Sequence, residues 1–89
     1  MTTVQVLDDF TRDELRQLIY VHTGRSISVS QFYEWLPFAL IPEPKALYTK
    51  RDARKLMFIS SQLNRVRSLE RARQKLIEYM QSHPQEFEL

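Results

Sequence analysis

Eighty-nine residues, 43% hydrophobic and 27% charged, suffice for one small globular domain and argue against a disordered chain. There is no cysteine, no apolar run near the ~18 residues of a membrane span, and an acidic start, MTTVQVLDDF, without a signal pattern. Disulfides and thiolate metal sites are thereby excluded, and a cytoplasmic protein without membrane attachment is expected.

Charge is unevenly spread beneath a net value of +2. Residues 1–44 hold three basic and six acidic side chains, and residues 76–89 hold three acidic and none basic. Residues 45–75 hold ten basic and two acidic side chains, a balance of +8. Such a block suits either a polyanionic partner or a solvated helix face.

Residues 1–10 read as an N-terminal arm, and a first helix is expected over 12–23. Thr11 and Glu14 have capping-box spacing, with Phe10 and Leu15 as the flanking hydrophobic staple. Leu15, Leu18, Ile19 and His22 follow at helical spacing. Gly24, the only glycine, falls where a left-handed C-terminal cap belongs.

The same device recurs at once. Ser28 and Gln31 make a second capping box, with Ile27 and Phe32 as its staple. Val29, Phe32, Tyr33 and Leu36 form an apolar stripe at helical spacing, so a second helix is expected over 29–36. Pro37 disfavours helical geometry at Leu36. Two short helices joined by residues 24–27 resemble a helix-turn-helix.

PFALIPEPKALY holds three of the four prolines and predicts a loop with at most two short edge strands. Ile41 and Leu47 would flank a hairpin turned by residues 42–45. Thr49 caps a third helix, with Asp52 at its third position. Ala53, Leu56, Met57, Ser60 and Leu63 share one face, widened by Ile59. At about 100° per residue Phe58 falls opposite, among Arg51, Arg54, Gln62 and Arg65, and is expected to be exposed there. Ser68 caps a fourth helix lined by Leu69, Ala72, Leu76, Tyr79 and Met80, although no glycine or proline divides it from the third. Pro84 ends it, leaving a domain over 11–82 and a frayed tail over 83–89.

In order, SVSQFYEW, ALIP, LYTKRD, LMFI and SLERA resemble the DNA-binding domain of MerR-type and excisionase-like regulators. The resemblance spans about residues 11–80 and rests on the order and spacing of these segments. It implies a mainly α fold, a small winged helix-turn-helix of about four helices with a short wing. The chain departs from the family pattern in several places. Gln31 stands where a basic residue is usual, and Phe32 replaces the first of two tyrosines. Two residues around Pro37 and Phe38 are additional, and the wing shrinks to PEPKA with one cation, Lys45. Val66 and Arg67 replace a glycine and an aromatic.

By this resemblance the second helix enters the major groove, where its first turn reaches base edges. Ser28, Ser30, Gln31 and Tyr33 are the candidate contacts on it. Gln31 either pairs with adenine or only closes its capping box. Tyr33 either approaches the DNA backbone or packs at the core edge, whereas Trp35 reads as packing. Lys45, Lys50, Arg51, Arg54 and Lys55 are candidate phosphate contacts, which supply affinity without sequence information. Arg65, Arg67, Arg71 and Arg73 crowd the start of the fourth helix, where the dipole disfavours cations. A partner anion and surface ion pairs both fit them.

No catalytic constellation emerges. His22 and His83 lie far apart in sequence with no adjoining nucleophile or base, one glycine cannot build a phosphate loop, and metal-ligand spacing is absent. Neither enzyme activity nor a cofactor or metal is expected. The expected function is sequence-preferring binding of duplex DNA, as a transcriptional regulator or architectural factor without a sensor domain. The alternative is a protein-interaction adaptor on the same fold, with Phe58 and Arg65 as contacts, because arginine and aromatic residues together mark interface hot spots. Pairing of two copies through the fourth helix stays open.

Overall fold

Three helices start on one hydrogen-bonded device. Glu14 donates its backbone N–H to Thr11 Oγ1 at 3.2 Å, and Thr11 N–H returns to Glu14 Oε1 at 2.8 Å. Gln31 and Ser28 repeat the exchange at 3.1 and 2.9 Å, as do Asp52 and Thr49 at 3.1 and 3.0 Å. Each box satisfies two donors that a helix N-terminus would otherwise leave unpaired. In a computed structural model that describes residues 9–87, these boxes open α1 (Arg12–Thr23), α2 (Val29–Trp35) and α3 (Lys50–Val66). Ser68 caps α4 (Leu69–Ser82) with a single bond from Arg71 N–H at 3.3 Å. The fold is thus a small, mainly helical domain. Of the expected arm, only Asp9 and Phe10 lie within the described residues.

The helix ends depart more from expectation than the starts. Gly24 closes α1 at φ 76°, its N–H donating to Tyr20 O at 2.9 Å, as the sequence predicts. At α2, however, Leu36 keeps helical angles (φ −53°, ψ −50°) despite the following proline. Pro37 opens a 3-10 turn, Pro37–Ala39, where its missing N–H costs nothing. The chain stops at Leu40, which is left-handed at φ 60°. Leu40 N–H donates to Pro37 O at 3.1 Å and Ile41 N–H to Leu36 O at 2.9 Å, the paired bonds of a Schellman motif. Arg67, left-handed at φ 54°, separates α3 from α4 without glycine or proline.

The expected hairpin between Ile41 and Leu47 does not form. Among the described residues the β-bridge present joins Phe10 to Tyr48, with N–H to O distances of 2.7 and 2.8 Å. Pro42 and Pro44 have no N–H to offer a ladder, and Leu47 is exposed where a paired strand would have covered it.

α3 packs against both α1 and α4. Leu15 and Ile19 of α1, Phe32 and Trp35 of α2, Leu56 and Ile59 of α3, and Leu76 of α4 are buried around it, with Ile41 and Tyr48 from the loop. Each large apolar side chain so buried contributes about 1.5–3 kcal/mol. Ser60 on this core face shares a hydrogen bond with Thr23 Oγ1 at 2.7 Å, which satisfies its buried hydroxyl.

Phe58 is not exposed as expected. α4 lies along α3 and sets the Tyr79 ring 4.9 Å from that of Phe58, leaving it half-buried. Tyr79 stacks in turn on His83 at 4.2 Å and donates its hydroxyl to Glu86 Oε1 at 2.7 Å. Arg54 donates to the Glu86 carbonyl. These contacts draw residues 84–87 into a 3-10 turn rather than a frayed tail. No helix among the described residues is long and apolar enough to cross a membrane.

Candidate nucleic-acid interface

Tyr48 organises the surface that carries the candidate residues. Its ring is fully buried and meets Phe32 edge-on at 5.3 Å. Its hydroxyl accepts from Lys45 N–H at 3.1 Å. Phe10 and Tyr48 each precede a helix cap, so their bridge sets the starts of α1 and α3 side by side. The ring contact with Phe32 pins the underside of α2 to the same point. The sequence held a signal for this: Tyr48 stands just before the cap Thr49, where a staple residue belongs.

Seven residues make α2. Phe32 and Trp35 point inward and Val29 is half-buried, while Ser30, Gln31, Tyr33 and Glu34, with the cap Ser28, face out. Tyr33 is 39% exposed, and its hydroxyl accepts from Arg12 Nη1 at 3.2 Å. Arg12 is also bonded to Asp13 at 3.1 Å. That bond raises the Arg12 pKa further above its ordinary value and lowers that of Asp13. Arg12 is therefore a committed cation that orients Tyr33.

Gln31 spends its Oε1 on Ser28 N–H, so the capping role is realised. Its Nε2 still has hydrogens to donate. A bidentate pair with adenine needs Oε1 as well, which would then accept a second hydrogen bond or release Ser28 N–H. A single donated bond to a base acceptor leaves the cap intact.

The five cations expected to reach phosphates fall into different surroundings. Lys50 and Arg51 are exposed on the first turn of α3. Lys45 Nζ lies 2.6 Å from Asp52 Oδ2, an ion pair in which Asp52 is only 5% exposed. Burial pushes the Asp52 carboxyl up, but the bonds from Lys45 and Thr49 N–H outweigh it and hold the group below its ordinary value. Lys55 is 8% exposed, with Nζ 3.4 Å from Leu40 O. Burial, reinforced by Arg51, lowers its pKa. Arg54 is half-buried and held at the Glu86 carbonyl.

Lys45, Arg51 and Lys55 line one cleft beside Leu40 and Pro42, with Asp52 among them. Three cations against one carboxylate keep it positive. Arg51 is exposed on its rim, Lys45 is ion-paired to Asp52, and Lys55 is buried. Spacing along α3 does not distinguish these cases, because the loop that covers Lys55 comes from residues 40–42. Arg65 is exposed and lines a separate cleft with Phe58, Tyr79 and His83. Among the described residues no group of three His, Cys, Asp or Glu side chains is placed to hold a metal ion. Compared with protein-family models, curated proteins and solved structures, the chain matches none.

Proposed function

We propose that this chain binds duplex DNA through the outward face of α2, with backbone phosphates held by the first turn of α3. In that role it is a regulatory or architectural factor of the MerR and excisionase kind, without catalysis. One observation carries the reading. α2 sinks Phe32 and Trp35 into the core and presents Ser28, Ser30, Gln31 and Tyr33, while Tyr48 fixes it beside a helix start bearing exposed Lys50 and Arg51. Serine hydroxyls and the free amide of Gln31 suit base edges and backbone oxygens, and guanidinium and ammonium groups suit phosphates. The adaptor reading has less support, because Phe58 lies against Tyr79.

Few cations are available, so affinity per copy is modest and the salt response shallow. With about two or three phosphates neutralised, log K should fall against log salt with a slope of roughly −2 to −3. Fluorescence anisotropy on a labelled duplex measures this. Arg51→Ala should flatten the slope by about one unit, as the loss of a single phosphate contact. Lys55→Met should leave it unchanged, since that ammonium is buried. Gln31→Ala and Ser30→Ala should alter the sequences recovered from a random duplex pool more than they alter the slope. No binding at low salt, to random or genomic duplexes, overturns the proposal.

A further inference from the structure

We propose that Arg25 and Arg67 form a second anion site, which takes one phosphate group. Arg25 follows the Gly24 turn after α1, and Arg67 forms the corner between α3 and α4. The two line one cleft of about 380 Å³ together with Leu63 and Asn64, and no carboxylate lines it. Arg25 Nη2 donates to Asn64 Oδ1 at 2.8 Å, which fixes the guanidinium plane. Its Nε is enclosed yet has no hydrogen-bond partner among the described residues. A buried donor on a charged group left unpaired is destabilising, and pairing it with an anion oxygen requires the Arg25 side chain to turn toward the cleft.

Arg67, left-handed at φ 54°, turns the corner that brings it to this cleft, and its side chain is exposed there. Both cations sit at the C-terminal end of α3, whose dipole supplies only about half a negative charge. Two guanidiniums exceed it, and the cleft remains positive.

The chemistry favours phosphate over carboxylate. A phosphate offers more acceptor oxygens and more negative charge than a carboxylate, and so matches two guanidinium forks better. The phosphate has two sources. Arg25 lies three residues before the α2 cap Ser28, so a duplex backbone crossing the start of α2 is one, and free phosphate is the other.

The test follows arginine Nε–Hε signals by NMR in the full chain, as inorganic phosphate replaces chloride at constant ionic strength. Arg25 and Arg67 should saturate together, with a dissociation constant on the order of millimolar, while Arg51 and Arg71 drift without saturating. Arg25→Lys and Arg67→Gln should each weaken phosphate binding about tenfold or more with amide dispersion unchanged. Should Arg25→Lys unfold, the exposed Arg67 carries the test alone. A parallel titration with a short duplex separates the sources. Saturation of the Arg25 and Arg67 signals by duplex assigns the backbone, and saturation by phosphate alone assigns the free ion; both uphold the site. It is overturned if the Arg25 and Arg67 signals drift without saturating in both titrations, or if the substitutions leave phosphate affinity unchanged. The α2 amides report duplex binding separately, so loss of this site and loss of the α2 interface are distinguishable.

Discussion

α2 and α3 begin with the same capping box, but the side chains that close the two boxes meet different surroundings. At α2 the closing residue is Gln31, neutral and exposed, with an amide group left to donate. At α3 it is Asp52, buried, ion-paired to Lys45 at 2.6 Å and lining a cleft with Lys55. The cap is a local structure, set by residues three apart. Availability to a partner is a tertiary property, set here by the loop over residues 40–45 that folds against α3 and by nothing comparable over α2. The α3 box is consumed in holding the fold, and the α2 box leaves a surface free for recognition.

The sharpest break of this comparison is to remove both closing residues. Asp52→Ala loses the cap acceptor and the partner of Lys45, and leaves the buried Lys55 without a nearby anion. It should cost about 2–3 kcal/mol. Gln31→Ala loses a cap whose donor water can reach, and should cost only about 0.5–1 kcal/mol. Urea unfolding followed by circular dichroism measures both. Equal costs would mean that burial does not separate the two boxes.

Acid sharpens the same contrast. The folded Asp52 carboxyl lies below its ordinary value, so its contribution is fully present above the unfolded carboxylate pKa and is lost as pH falls through the folded one. The stability difference between the wild type and Asp52→Asn should therefore be constant near neutrality and shrink below about pH 4. The difference between the wild type and Gln31→Ala should show no such decline, since glutamine does not titrate. Urea midpoints from neutral to acid pH would check this, and a pH-independent Asp52→Asn difference would contradict the ion pair.

These contrasts mark where the sequence is legible. Capping boxes, the Gly24 stop and the inward stripe of Phe32 read directly from spacing, because a few neighbouring residues determine them. Three features do not. Leu36 stays helical before Pro37 because the Schellman bonds of Leu40 and Ile41 repay the unfavourable geometry. Phe58 is covered by Tyr79, twenty-one residues later, and no periodicity within α3 reveals a second packed face. Lys55 looks like its basic neighbours in sequence and differs in that it is buried, with its ammonium at the Leu40 carbonyl. For the candidate interface, the outward Ser28, Ser30 and Gln31 were legible, whereas Tyr33, which spacing puts on the apolar stripe, faces out, and the burial of Lys55 and the pairing of Lys45 with Asp52 were not legible.

The smallest expected effects come from the helix ends, where one backbone geometry again meets two surroundings. Leu40 and Arg67 are both left-handed, at φ 60° and 54°, and glycine would relieve the Cβ clash at either. Leu40 is half-buried and packed against the core, so Leu40→Gly loses apolar contact that outweighs the relief and should cost about 1 kcal/mol net. Arg67 is exposed, so Arg67→Gly loses little packing. Relief of about 1–2 kcal/mol, less the added freedom of glycine in the unfolded chain, leaves a gain of roughly 0.5–1 kcal/mol. For a domain of this size that is an upward shift of about 2–8 °C in Tm, against a comparable fall for Leu40→Gly. Arg67→Gly should also abolish saturable phosphate binding at the Arg25 cleft, so stability and binding would move in opposite directions. If both substitutions shift Tm the same way, packing around the left-handed residue is not what sets the sign.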